Sequence, residues 1–267
     1  MNKFGGNFDD FPVEKSRKRM ISTFKNRAIL AKEGGIVGMK KKYSWLNSSL
    51  DGGSSSFFYS FEDILPKGTI SLRDYIQSTL EEKRGKAVGV EFGGIGVKVF
   101  SEFPPGFFKK SIGMTLLDHR TESEKQLDLY KVNHGFPHQV LERNMLESSS
   151  YRELEKILAG DKVDFIVERL ELGLSAIPQE LVTVSSILER WYNLLNEGGV
   201  MMVQVPGMFN PLLKKWAEMI EKDYKDVLEF KCSPRVGYAS SGDISPNDSV
   251  FRLRKLKGAP EKLPLLS

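Results

Sequence analysis

Between Ala87 and Val205 the sequence alternates short apolar runs with segments of helical period, and glycines fall at most of the joins. The apolar runs are Ala87 to Val90, Ile112 to Leu117, Val140-Leu141, Val163 to Val167 and Val200 to Val205. Unbroken apolar runs suit strands buried on both faces. Strands separated by helices need crossover connections, so the pattern predicts a doubly wound, mainly parallel sheet.

The helical segments carry their own start and stop signals. Ser71 caps a predicted helix to about Lys83, with Leu72, Tyr75, Ile76, Thr79 and Leu80 on one side and Gly85 as its stop. Thr121 with Glu124 and Ser150 with Glu153 have capping-box spacing, which predicts helices at 122–133 and 151–159, closed by Gly135 and Gly160. Leu181, Val184, Leu188, Trp191 and Leu195 recur every three or four residues and predict a long helix from near Pro178 to Gly198-Gly199. A further helix follows Asn210-Pro211. Two strand-like runs, Val227 to Cys232 and Val250 to Leu256, flank a loop containing Gly237, Gly242 and Pro246, and predict a C-terminal antiparallel hairpin that completes seven strands.

The first 56 residues read differently. Residues 1–42 hold eleven Lys or Arg against Asp9, Asp10, Glu14 and Glu33, whereas the whole chain has a net charge of only +4. The segment from Pro12 to about Glu33 predicts an amphipathic basic helix, with Met20, Phe24, Ala28 and Ala31 on its apolar face. Clustered cations attract phosphates, so RNA or another anionic partner is a candidate for this helix. The Ser/Gly stretch from Asn47 to Ser56 marks the expected boundary between this extension and an α/β domain at 57–267. No run of 18 apolar residues or secretion signal is visible, and a single cysteine, Cys232, precludes an internal disulfide, which together predict a soluble cytoplasmic protein.

The sharpest local feature is Val88-Gly89-Val90-Glu91-Phe92-Gly93-Gly94-Ile95-Gly96-Val97, a strand running into glycines and then a short helix. Glycines at such a turn let the backbone approach a ligand, and the helix start offers free N–H groups, so a nucleotide-type ligand is expected. A dinucleotide fingerprint starting at Gly94 would place its third glycine on Val99, where a bulky side chain opposes close helix packing. Glu91, two residues before Gly93, instead resembles the acid of the first motif of class I S-adenosylmethionine-dependent methyltransferases. Ile95 and Val97 stand where that family often has glycine.

The resemblance extends downstream through about residue 256. It implies that Glu91, Gly93, Gly94 and Gly96 surround the methionine end of S-adenosylmethionine, that Asp118 holds the ribose hydroxyls, and that Asn144, with Met145, faces the adenine in place of the family's usual Asp. Asp164-Phe165-Ile166-Val167-Glu168 resembles the fourth motif, beside the methyl acceptor, and Gly198-Gly199 before Val200 to Val205 resembles the passage into the fifth strand. The implied reaction is in-line displacement at the sulfonium methyl by an acceptor the sequence does not identify. Alignment can supply much of that catalysis. Glu168, then His119, are the candidate bases. The Asn/Asp-Pro-Pro-Tyr motif of amino methyltransferases is absent, since the chain reads Glu168-Arg169-Leu170-Glu171.

Other readings of the same residues stay open. Glu91 and Asp118 can cap the helices that follow them, and Glu168 or Arg169 can form an ordinary ion pair. An NAD(P)-dependent oxidoreductase would also place an acid at Asp118, and a noncatalytic cofactor-binding or RNA-associated module would rely on the basic helix. His134 and His138 are four apart, but Gly135 and Pro137 between them oppose a helical metal pair.

Overall fold

The computed structural model describes residues 49–51, 56–116, 118, 120–169, 173, 174, 177, 180–234 and 249–264. The basic helix expected at 12–33 lies outside them. Seven strands form one sheet in the order β3-β2-β1-β4-β5-β7-β6, comprising β1 (Ala87–Phe92), β2 (Phe108–Thr115), β3 (His138–Glu142), β4 (Val163–Glu168), β5 (Leu195–Val205), β6 (Leu228–Pro234) and β7 (Ser249–Lys255). The first five are parallel, and β7 runs antiparallel to both β5 and β6. This is the predicted mainly parallel sheet with its C-terminal hairpin.

Successive residues of a strand face opposite sides of a sheet. Val88, Val90 and Phe92 therefore enter one core with Ile166, Met201 and Val203, while Ala87 joins Phe165, Val167, Val200 and Met202 in the other. Helices α5 (Ser148–Leu158), α6 (Leu181–Leu194) and α7 (Asn210–Asp223) cover the first face, where Trp191 stacks on Phe92 at 4.6 Å and donates to the Tyr151 hydroxyl. Helices α1 (Phe57–Phe61), α2 (Leu72–Thr79) and α3 (Val97–Ser101) cover the second. There Phe100, Phe103, Phe107 and Phe108 cluster edge-on and stacked around Phe165. Gly89 makes room for the Phe100 ring, which lies where a Cβ would be.

Four details differ from the sequence reading, each for a local reason. Leu50, on the extension side of the boundary at 56, is wholly buried, and its N–H donates to Glu102. Nearby, the Asp51 carboxylate accepts from Leu72 N, Arg73 N and the Ser71 hydroxyl, which reinforces the Ser71 cap of α2. Helix α6 starts at Leu181 and stops at Leu194, because Leu195 turns extended and pairs with Val163; Gly198-Gly199 instead fall inside β5, in an irregularity before Val200 pairs with Phe165. Helix α4 (Glu122–Asn133) has the full Thr121–Glu124 capping box, but the Ser150–Glu153 box does not form. Ser150 lies inside α5 and donates to the Asn144 carbonyl, while Glu153 pairs with Arg143.

Candidate functional site

In open α/β sheets a ligand crevice lies outside the carboxyl ends of the strands, where the strand order reverses. Here the reversal is between β1 and β4. At the end of β1, Gly93 and Gly96 have φ of 77° and 72°, a left-handed backbone that other residues adopt only with strain. Gly93 N donates to Met114 O at 2.9 Å, which turns the chain toward β2. A Cβ on Gly93 would stand 2.6 Å from Gly173 N and nearer still to the Arg169 carbonyl oxygen, so the chain after β4 lies directly against the turn.

A histidine holds the other side of the turn. His138 Nε2 lies 2.8 Å from Ile95 O, and Nδ1 lies 2.9 Å from the Ser111 hydroxyl. A carbonyl only accepts, so Nε2 carries the hydrogen and Nδ1 accepts from Ser111. Burial pulls the His138 pKa down to about 4, against the opposing effect of its bond to Ile95. Gly113 has no side chain to keep the Ile95 backbone off β2, and a Cβ there would come within 2.7 Å of Ile95 Cα.

Each acid read from the sequence sits at a strand tip, and each is already partnered. Glu91 is 1% exposed. Its Oε1 accepts from Arg169 Nε at 2.8 Å and Nη2 at 2.6 Å, and its Oε2 accepts from Gly96 N at 2.6 Å. The guanidinium, also buried, lies 4.9 Å from the Phe57 ring centre. Just beyond β2, Asp118 takes a fork from Arg120, with Nε to Oδ1 at 3.0 Å and Nη2 to Oδ2 at 2.7 Å. Arg120 also donates to Asp128 of α4. Burial acts to raise the Asp118 pKa, but the hydrogen bonds and charge of Arg120 outweigh it and hold the carboxyl below its usual range.

After β3, the Asn144 Oδ1 accepts from Leu146 N at 3.0 Å, and its buried Nδ2 has no hydrogen-bond partner among the described residues. Met145 is buried in the core over the first sheet face. Glu168, at the tip of β4, is fully buried and accepts from Leu174 N at 2.7 Å and Gln204 N at 3.0 Å, bracing β4 against β5 and the following chain. Gly94 stands against the Glu91 carboxylate and has no room for a side chain. His119 lies outside the described residues.

Arg120 and His138 belong to the site although no motif in the sequence marks them, and the sequence offers Arg169 only as a member of an ordinary ion pair. Arg120, two residues after Asp118, was a visible signal. Arg169 is 78 residues from Glu91, and only the β1–β4 pairing brings them together. A separate cleft of about 310 Å³, lined by Phe100, Phe103, Tyr130 and Phe136, opens at the amino ends of β2 and β3, away from these acids.

No family model matches the sequence, and no curated protein matches it. Among solved structures, an rRNA methylase from Streptococcus thermophilus matches at 12% identity and a TM-score of 0.42, over 71% of this chain and 100% of that one. The N-methyltransferase NodS from Bradyrhizobium japonicum in complex with S-adenosyl-l-homocysteine matches at 13% and 0.37, over 68% and 86%. A precorrin 8w decarboxylase from Methanobacterium thermoautotrophicum matches at 16% and 0.38, over 73% and 95%. Likenesses this slight say nothing of what this chain binds. The sheet itself, seven strands ordered β3-β2-β1-β4-β5-β7-β6 with β7 alone reversed, is a doubly wound, mainly parallel α/β sheet with a C-terminal antiparallel hairpin.

Proposed function

We propose that this chain binds S-adenosylmethionine across the carboxyl ends of β1, β2 and β3 and catalyses methyl transfer to an acceptor. One observation carries the reading: a glycine turn beside a carboxylate, a second carboxylate and a buried amide occupy the tips of three neighbouring strands in that order. Neighbouring strands are spaced by about 4.8 Å, so the three tips span the length of one extended nucleoside. Glu91 with Gly93, Gly94 and Gly96 would hold the methionine end, Asp118 the ribose, and Asn144 with Met145 the base. When bound, the cofactor supplies an activated methyl group. The protein's part is to orient it and exclude water, which is where much of the rate of such a displacement originates.

Glu168, braced by two backbone donors, supports the crevice wall beside the acceptor side. The acceptor itself is to be found by transfer of labelled methyl into cell extract. Calorimetry with S-adenosylhomocysteine and with NAD tests the cofactor. Heat with the former alone supports the reading, and heat with NAD alone favours an NAD(P)-dependent oxidoreductase. Asp118→Ala should weaken cofactor binding by roughly 1.5 to 3 kcal/mol, the worth of a charged hydrogen bond. Unchanged affinity would remove Asp118 from the ribose site.

The ion pairs Glu91–Arg169 and Asp118–Arg120 favour a second reading, in which the fold persists as a noncatalytic module and the acids serve stability. Cofactor binding without any methyl transfer would select its cofactor-binding form, and absence of heat with every nucleoside its RNA-associated form. In that module the basic segment before residue 43 would supply the contact to RNA or another anion, and deleting it should then abolish that binding.

A further inference from the structure

Where the C-terminal hairpin crosses the second face of the sheet, positive charge collects. Alternate residues of a strand share a face, so Arg252 and Arg254 of β7 lie on the side of Val250, in the second core. Their register partners on β6 are Lys231 and Glu229. Arg254 meets Glu229 at 3.4 Å. Arg252 instead stands opposite Lys231, and like charges directly opposite each other destabilise an antiparallel pair. Helix α1 packs on β7 and the turn Glu62–Ile64 on β6, but Glu62 and Asp63 of that turn are exposed and form no ion pair with these cations.

Arg252 is only 6% exposed. Its Nη1 donates to the Tyr75 hydroxyl of α2, and its guanidinium carbon lies 5.2 Å from the Tyr75 ring centre. A hydroxyl and a ring supply no counter-charge. Its Nε is buried without a partner; its Nη2, which has none among the described residues either, keeps contact with solvent. A guanidinium does not lose its proton in a protein, and a buried charge that nothing balances is costly. Nε together with Nη2 is the fork by which Arg120 holds the two oxygens of Asp118. In Arg252 the Tyr75 hydroxyl takes the other end, and the fork stays open. Arg254 repeats the arrangement, with Nη1 on Glu229 and a buried Nε that has no partner.

We propose that Arg252 and Lys231 form a binding site for an oxyanion of the phosphate type. Two oxygens of the anion close the Nε–Nη2 fork, and a third accepts from the Lys231 ammonium. The anion then stands between two like charges and offsets both. A carboxylate would spend its two oxygens on the fork, whereas a phosphate keeps further oxygens for Lys231. The site lies midway along β7 and is independent of the cofactor reading, because neither S-adenosylmethionine nor its product carries a phosphate.

Thermal unfolding of the full chain in inorganic phosphate, against sodium chloride of equal ionic strength, tests the proposal with the natural protein, Arg252→Met and Lys231→Gln. Phosphate also stabilises proteins generally by exclusion from their surface, an effect common to all three. Beyond it, the natural protein should show a saturable rise in Tm that Arg252→Met lacks. Lys231→Gln should need on the order of 10-fold more phosphate for half of that rise, the worth of one charge-assisted hydrogen bond. In chloride Arg252→Met should unfold no earlier than the natural protein, since it removes an unbalanced charge, and in saturating phosphate it should unfold earlier. Equal shifts in all three proteins overturn the proposal. A loss of stability in Arg252→Met that is the same in both salts makes Arg252 a structural partner of Tyr75 and overturns it too. Lys231 is exposed, so Lys231→Gln decides the matter even if Arg252→Met does not fold. Where the phosphate effect is found, a short single-stranded RNA identifies its source. Weaker RNA binding by Lys231→Gln assigns the site to a phosphodiester chain, and unchanged binding assigns it to a free phosphate.

Discussion

His138 is the residue whose surroundings make the sharpest claim about pH. Its ring is 4% exposed, stacks on Phe136 at 5.2 Å and spans from the Ser111 hydroxyl to the Ile95 carbonyl. A histidine with a pKa near 4 when folded and about 6.5 when unfolded binds its proton preferentially in the unfolded chain between those values. Stability from this group is complete above the unfolded value and is lost as pH falls toward the folded one. Urea unfolding should therefore show about 2 kcal/mol less stability at pH 5 than at pH 7.5 from His138 alone, a loss that His138→Gln removes. An unchanged acid limb in that variant would assign the pH dependence elsewhere. Asp118 works in the same direction, because its depressed carboxyl also takes up a proton on unfolding as pH falls. The positions of Glu91 and Asp118 were legible, since an acid at the end of an apolar run is a local pattern. Their partners were less so: the glycine turn gave no hint that a histidine more than 40 residues later would hold Ile95 in place.

Among elements, the two capping-box spacings form a matched pair with different outcomes, and stability measurements can separate them. At α4 the Thr121 hydroxyl accepts from Glu124 N, and the Glu124 carboxylate accepts from Thr121 N at 2.8 Å. Thr121→Ala should cost about 1 kcal/mol in urea unfolding, the usual worth of an N-cap. At α5 the spacing is the same but the helix begins at Ser148, three residues before the expected start at 151, so Glu153 faces Arg143 as an exposed pair. Glu153→Gln should change stability by less than about 0.5 kcal/mol, since exposed ion pairs contribute little. A loss near that of Thr121→Ala would restore the capping role. The same contrast explains what the sequence revealed about the fold. Strand cores and helix periods are set by side-chain burial every two or nearly four residues, so all seven strands were located. Their ends depend on which backbone groups find partners across the sheet. That is why β2 begins at Phe108, four residues before its apolar run, and why Gly198-Gly199 sit within β5 rather than before it.

At the scale of the whole molecule, the crevice and the hairpin stand at different parts of one sheet. The candidate ligand groups occupy the tips of β1, β2 and β3, whereas β7 lies between β5 and β6, and Phe251 packs there on Phe230 at 5.4 Å and on Trp216 at 5.3 Å. Trp216 in turn donates to Pro264 O, which ties α7 to the chain after the hairpin. Phe251 is fully buried, so Phe251→Leu removes packed volume and should lower stability by roughly 1 to 2 kcal/mol, or a few degrees in Tm for a domain of this size. It touches none of the strand-tip groups. If the native state is preserved below the transition, S-adenosylhomocysteine should bind this variant with unchanged Kd, because a ligand stabilises the folded state without requiring that its reserve of stability be large. Saturating ligand, at about a hundred times its Kd, should then raise the Tm of the variant and of the natural protein in parallel, by an amount corresponding to roughly 2.7 kcal/mol in each. Paired calorimetry and thermal unfolding check both statements. A Kd that weakens in step with the lost stability would mean that the hairpin end opens together with the crevice, and that the seven strands do not hold the strand tips in place independently of the packing around β7.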